Sequence, residues 1–416
     1  MKEEVIQQFW KSKLALGKAL KTTQNQSIII RNFGQLNLGQ GPDFYGAEIE
    51  IDNVLHSGSV EIHVNSKEWF EHHHETDEKY QSVVLHVVWE NSVDVIDLSG
   101  RMLPVIELKQ FFTEKDLQKS QQILALNGEF PCQLFHSSVL ISDKYQQLVF
   151  AQSKRWDRKV MDFMLLHHEY RGDWQKVIMV QVAKYWMDNQ NRNSMLVLVK
   201  DAFMPRLQRF NEHEMLAFWM GQSQINLDHL FQLEHKNQIF SKFLFLKKKF
   251  EMNPINLHWY FGRVRPNAFP DIRLWQWAKW VGNQNARFSH WLEFKDYPEL
   301  VNALSIGIEV HRPFKCEGET MVNGIQHIHQ LIINAIVPIW LAYATLHEDK
   351  LLMNNALDIL EQLPPENNAI TKKMHWMNIL NTSAKHSQQL MGQYDHYCVP
   401  KKCLECLVGQ SYLKST

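Results

Sequence analysis

Strand-like hydrophobic patterns are confined to the first part of this chain, and that limits what it can fold into. Alternating and continuous apolar runs lie before about residue 112, interleaved with two helical stretches; from about Asp116 the helical period prevails almost throughout. Ala47-Glu48-Ile49-Glu50-Ile51 alternates strictly, so Ala47, Ile49 and Ile51 share one face of a strand. Ser59–Val64 reads as its partner, with Asp52-Asn53 and Ser57-Gly58 bounding the turn region. On that partner Val60, Ile62 and Val64 face one way, Glu61 and His63 the other. Ser27–Phe33, with Ile28-Ile29-Ile30, is a further strand, and the glycine- and proline-broken stretch from Gly34 to Phe44 is a loop. Val83–Val88 is apolar apart from His86, the pattern of a strand buried on both faces. Val5 to Leu20, with Leu14 and Leu16, has helical spacing; so does Lys67–Gln81, with Ser66 as its N-cap. A short strand pair is expected from Val93–Leu98 to Val105–Leu108.

Beyond Asp116 the pattern predicts helices almost throughout, for example over Leu148–Leu166, Trp174–Trp186, Trp275–Val281, Ile325–Ala342 and Leu351–Leu360. Asn253–Asp271, with three prolines, reads as a long loop. The expected organisation is an α/β core over 1–112, a large all-α domain over 113–394 and a cysteine-rich tail over 395–416 that packs back on the body. A chain of 416 residues, 45% hydrophobic and 21% charged, can bury sizeable cores without disulfides. With 44 basic and 45 acidic residues the net charge of −1 argues against a strongly basic coat, though not against a local basic groove. Met1-Lys2-Glu3-Glu4 leads into no apolar signal segment. The apolar run Leu331–Ala344 is short for a membrane span and holds Asn334 and Pro338. The expectation is a cytoplasmic protein without a membrane partner, whose five cysteines are thiols or metal ligands.

Pro42-Asp43 stands just before one strand, and Glu61-Ile62-His63 lies on the next. A spacing of two puts Glu61 and His63 on one face, as a shared metal requires. This order of helix, strands, helix and strand, with those motifs, resembles the core of the PD-(D/E)xK nuclease superfamily. The resemblance implies a restriction-endonuclease-like fold in which Asp43 and Glu61 hold Mg²⁺ or Mn²⁺ and the third motif residue positions or deprotonates water. Here that residue is His63 in place of lysine, a third ligand or a base, and it makes imidazole-preferring metals such as Zn²⁺ or Mn²⁺ more credible. Glu4 is a candidate additional carboxylate. Some relatives, the RecB-like nucleases, carry a substrate-touching tyrosine on the following helix, where Tyr80 stands. In a helix, Trp69, His73, Asp77 and Tyr80 would share a face, and His72, His74, Asp77 and His86 are candidate supporting residues. Glu107-Leu108-Lys109 has suitable residue types but lies beyond the fourth strand.

Cys398-x4-Cys403-x2-Cys406 groups three of the five cysteines, a spacing that suits thiolates on one metal. Cys132 is the expected fourth ligand, with His396 and Cys316 as alternatives. Zinc and an iron–sulfur cluster both fit, and the outline is similar to the cluster staple of some RecB-like nucleases. Arg263, Arg265 and Arg273 are candidate phosphate contacts. The chain also resembles an uncharacterised bacterial family of unknown function through Gly41-Pro42-Asp43-Phe44, Gly58-Ser59-Val60-Glu61-Ile62-His63, Leu85-His86-Val87-Val88, Pro364-x-Glu366-Asn367-Asn368 and the terminal cysteines. The expected function is a metal-dependent nuclease acting on DNA or RNA. The alternatives are a non-catalytic nucleic-acid- or protein-binding module on a degenerate nuclease fold, and a zinc-dependent hydrolase using His72, His74 and Asp77.

Overall fold

The computed structural model describes the chain except residues 1–2, 12–18, 38, 126–127, 203–206, 208, 229, 232, 254, 284–286, 311–318 and 415–416, and gives backbone alone at 4, 8, 11, 117, 124, 202, 309–310, 319–321 and 414. Leu14, Leu16 and Cys316 therefore lie outside the described residues, as does the Glu4 side chain. By packing, the chain divides into two compact units: Met1–Ser153 with Asn368–Ile379 and Gln389–Thr416, and Lys154–Asn367 with Leu380–Gln388. These limits differ from 1–112, 113–394 and 395–416, because two C-terminal segments fold with the sheet-bearing unit.

The first unit is a mixed α/β body. Helix α1 (Glu3–Lys11) buries Val5, Ile6, Phe9 and Trp10, and the Trp10 indole donates to the Phe33 carbonyl at 2.9 Å. Strands β1 (Leu20–Lys21), β2 (Ser27–Asn32), β3 (Gln35–Leu36), β4 (Phe44–Ile51), β5 (Val54–Asn65), β6 (Val83–Glu90) and β7 (Val105–Glu107) form one sheet in the order β1-β2-β4-β5-β6-β7, with β3 on β4. Pairing is antiparallel as far as β5, and parallel from β5 to β6 and β6 to β7. The β4–β5 connection is tighter than the sequence suggested. Asp52 and Asn53, with φ of 47° and 69°, make a two-residue hairpin turn, and Ser57-Gly58 lies inside the strand. Residues 93–98 do not form the expected strand partner of 105–108; Ile96 makes a single bridge to Met102, and β7 pairs with β6 instead.

The alternation read from the sequence sorts the two sheet faces as expected. Ala47, Ile49, Ile51, Val60, Ile62, Leu85 and Val87 pack with α1, while Val83 and Val88 pack on the opposite face with Trp69, Val95 and Leu103. Two register shifts lie just before Glu61: one in β4 between Phe44 and Ala47, opposite Gly58–Val60, where Gly46 has φ 66°, and one between Ser59 and Val60 against β6. Such irregularities bend a strand and re-aim its side chains. Gly58 is required by close approach. A Cβ there would sit 2.4 Å from the Ser82 carbonyl oxygen and 2.5 Å from Val84. Gly58→Ala should cost about 1–3 kcal/mol through displacement of β6, read as a lower denaturant midpoint with an unchanged slope.

The second unit is helical around one large apolar core, and the helices expected at 174–186, 275–281 and 351–360 lie in Trp174–Trp186, Pro270–Gly282 and Lys350–Gln362. It also holds a two-stranded sheet, Gly307–Val310 with Glu319–Val322, where only helix was expected. Four-residue strands are too short to show a period. A buried side chain pins this pair: Asn323 donates to the Leu304 carbonyl and accepts from the Ile306 N–H. Among the described residues one helix, Ile325–His347, is long and apolar enough to cross a membrane; 72% of its apolar window is buried.

Candidate functional site

Two carboxylates meet at the mouth of the β4–β5 hairpin. Asp43 immediately precedes β4, and its N–H donates to Glu61 Oε2 at 3.0 Å. Asp43 is held in return: Oδ2 accepts from the Ile62 N–H at 3.0 Å and Oδ1 from Gln7 Nε2 at 2.8 Å. Gln7 also donates to Glu3, so the polar stripe of α1 orients Asp43 while its apolar stripe packs on the sheet. No periodic signal marked Gln7, because its partner lies 36 residues away.

The residues after β5 depart from expectation. The sequence predicts a helix over 67–81, but helix α2 is only Glu68–Glu71. Ser66 does not cap it; the Ser66 hydroxyl accepts from the Ser92 and Val93 N–H groups. The helix stops because His73 adopts a left-handed φ of 61°, its N–H bonding back to the Phe70 carbonyl and that of His74 to the Trp69 carbonyl. This is a Schellman-type ending with histidine where glycine is usual. Trp69, His73, Asp77 and Tyr80 therefore share no helix face. Asp77 instead caps a short 3₁₀ turn, Glu78–Tyr80, accepting from the Lys79 N–H. His73→Gly should relieve the backbone strain and raise stability by up to about 1 kcal/mol; thermal melting of the variant checks this.

The turn brings His72 and His74 back toward β5. Nε2 of His63 lies 3.5 Å and Nε2 of His74 3.4 Å from Glu61 Oε1. His72 Nδ1 is 3.2 Å from His63 Nε2, and one ligand atom from each of His63, His72 and His74 lies within 4.8 Å of the others. On its other side His63 Nδ1 is 2.9 Å from Nε2 of His86, which is fully buried on β6. Trp69, fully buried, supports the cluster: its ring stands 5.4 Å from His74 and 5.3 Å from His86, and its indole N–H donates to the Ile96 carbonyl at 3.1 Å. Tyr80 stacks on His74 at 3.7 Å. Glu61, His63 and His74 are buried and His72 is exposed, so solvent reaches the cluster from the His72 side.

Burial dominates the electrostatics. It pushes Asp43 up to about 8, helped by the charges of Glu61 and Glu3, and pushes Glu61 up to about 8. Burial lowers His63 to about 2 and His86 to about 3, so both imidazoles are neutral at neutral pH, and it lowers His74. Burial raises the Tyr80 hydroxyl, which stays a donor. The site thus disfavours bare carboxylate charge and presents uncharged imidazole nitrogens, the state in which histidine binds a metal. Nδ1 of His74 and of His86 are buried without a hydrogen-bond partner. A divalent cation fits this donor set of one carboxylate oxygen and three imidazole nitrogens, with Asp43 alongside.

Of the expected site residues, Asp43, Glu61, His63, His72, His74, Tyr80 and His86 come together. Asp77 caps the 3₁₀ turn beside them through Oδ1, and its charge acts on His74 and Tyr80. Glu107 accepts from the Asn91 N–H and Lys109 pairs with Glu90, so that pair is structural. Arg263 and Arg265 are exposed in the second unit, but Arg273 is a correction. Helix Pro270–Gly282 turns Arg273 inward to bond Gln276 at 3.1 Å, and burial lowers it to about 10, so it offers no phosphate contact.

A model for a protein family of unknown function, DUF2851, matches residues 3–369. No curated protein and no solved structure matches the chain.

Proposed function

We propose that this chain, which belongs to the DUF2851 family, is a metal-dependent hydrolase of phosphodiesters in DNA or RNA. The observation that carries the reading is Glu61 Oε1 standing within 3.5 Å of the Nε2 atoms of two buried imidazoles while a third closes the set. The phosphodiester is favoured by the likeness to the PD-(D/E)xK pattern, with Asp43 at the start of one strand and Glu61-x-His63 on the next.

Glu61, His63, His72 and His74 would hold the cation, and the nitrogens favour Mn²⁺ or Zn²⁺ over the oxygen-preferring Mg²⁺. A bound cation would polarise a phosphate oxygen and lower the pKa of a bound water. His63 would present Nε2 as a lone pair, its Nδ1–H donating to His86 Nε2; His86 then fixes ring tautomer and orientation from behind. Asp43, fixed by Gln7 and the Ile62 N–H, would accept a proton at its carboxylate, and its value near neutrality suits that role. Tyr80, still protonated, would donate to a phosphate oxygen. The reading as a zinc-dependent hydrolase shares His72 and His74, while Asp77 caps the adjacent turn.

The test is hydrolysis of single- and double-stranded DNA and RNA, with Mg²⁺, Mn²⁺ or Zn²⁺, by wild type and His63→Ala. Hydrolysis that falls at least about 10²-fold in the variant supports the proposal. Absence of hydrolysis together with no metal uptake by calorimetry would overturn it and favour a binding module.

A further inference from the structure

Four described cysteines, Cys132, Cys398, Cys403 and Cys406, are all free and buried in one apolar cluster of the first unit. They arrive from three places. Cys132 sits in the short 3₁₀ turn Pro131–Leu134. Cys398 ends a π-helical turn, Tyr394–Cys398, a local widening that is common at functional positions. Cys403 and Cys406 lie in the turns before the helix Leu407–Lys414. Gln393 Nε2 reaches both Cys406, at 3.3 Å, and Cys398, at 3.7 Å, and Cys132 hydrogen-bonds Cys403. Gln393 is itself fixed, its side-chain carbonyl accepting from Gln147 at 2.8 Å, and Gln147 accepts from the Leu407 N–H at 2.8 Å.

The groups around these sulfurs are donors. Cys406 faces the Gln393 amide and the N–H groups of Val408 and Gly409, at the positive end of the last helix. Gly409 is indispensable to that approach, since a Cβ there would sit 2.0 Å from the Cys403 carbonyl oxygen. Lys401 lies near Cys403 and donates to the carbonyls of Gly128 and Glu129, tying the tail to the segment that carries Cys132. Donors converging on a sulfur favour its thiolate, the form that binds a metal. Four thiolate charges buried together in an apolar cluster are costly unless a cation offsets them. A cation that takes all four resolves the conflict.

We propose that Cys132, Cys398, Cys403 and Cys406 bind a thiolate-ligated metal centre, either one zinc ion or an iron–sulfur cluster, that staples residues 131–134 to the C-terminal tail. For zinc, four S–H bonds break, four S–Zn bonds form and four protons leave to solvent, with no change of oxidation state. An already assembled iron–sulfur cluster would bind through the same four sulfurs, four S–H bonds giving way to four S–Fe bonds with four protons leaving to solvent and no change of oxidation state. The centre is independent of the Glu61–histidine site.

The experiment uses the full chain purified without oxygen, in wild type, in a Glu61→Gln/His63→Ala double variant, and in Cys132→Ser. Elemental analysis, the absorbance near 400 nm and titration of reactive thiols are measured. The expected result is one zinc, or iron and sulfide with a broad absorbance, retained by the double variant, with four thiols that react only when the metal is displaced. Cys132→Ser should lose that metal, and if it does not fold, the thiol protection of wild type still decides. Wild type that stays metal-free after reconstitution with Zn²⁺ and with iron plus sulfide, its thiols reacting freely, would overturn the proposal. So would a metal lost from the double variant and kept by Cys132→Ser, which places it at the histidines.

Discussion

Glu61→Gln should abolish metal uptake at the histidine site and lower hydrolysis by at least about 10²-fold, while making the metal-free protein more stable at pH 8. The two effects have one origin. Glu61 is buried between the Asp43 N–H and the imidazoles of His63 and His74, and burial raises it from an ordinary 4.5 to about 8. Between those values the folded protein holds a proton that the unfolded chain has released. The resulting stabilisation is complete below about pH 4.5 and is lost as pH rises through about 8. Asp43, raised from 3.8 to about 8, acts in the same direction. Metal-free wild type should therefore melt at progressively lower temperature from about pH 5 to pH 8, and Glu61→Gln should flatten that slope. With saturating Mn²⁺ or Zn²⁺ the order should reverse, since binding to the folded state adds stability only where the ligands remain. Melting curves in chelator and in metal, at several pH values, check all three. A variant that melts below wild type in chelator, with an unaltered pH slope, would mean that Glu61 is a structural hydrogen-bond acceptor only.

Trp69→Ala should be the most damaging single truncation in the first unit, at about 3–5 kcal/mol. Trp69 is fully buried, donates to the Ile96 carbonyl, and packs against His74, His86 and, at 5.9 Å, Tyr80. Alanine would leave a cavity, an unmet carbonyl and two histidines without the surface that sets their rings. Trp69→Phe keeps most of the packing and loses the hydrogen bond, so a milder loss of about 1–2 kcal/mol is expected. Denaturant unfolding orders the two variants, and metal titration adds the functional readout. If Trp69→Ala, assayed where it is still folded, keeps the wild-type metal affinity, the histidines are held by their own hydrogen bonds and the tryptophan serves the core alone.

The sequence carried those parts of the site that follow from a local period. Alternation along 47–51 and 59–64 separated the core side chains from Glu61 and His63, and the sheet sorts them so because a pleated strand leaves no other choice. The continuous apolar run at 83–88 likewise announced a strand buried on both faces, with His86 as its one polar member. Helices in the second unit were legible for the same reason.

What the period could not carry was any feature set by one residue's backbone or by partners distant in sequence. A helix over 67–81 satisfies the apolar spacing, but the left-handed His73 ends it after one turn and swings His72 and His74 to His63. Gln7 finds Asp43 only because α1 packs across the sheet. The arginine that looked available, Arg273, is turned inward by the helix it belongs to. The three tail cysteines were evident from their spacing, yet it is the packing of the tail on the segment around 130–135 that delivers Cys132 and the Gln393 amide to them. Strand faces are fixed by covalent geometry within a few residues, so the sequence alone determines them. The meeting of Asp43 with Gln7, of His63 with His72, and of Cys132 with Cys403 depends on which surfaces bury one another, and only the tertiary structure decides that.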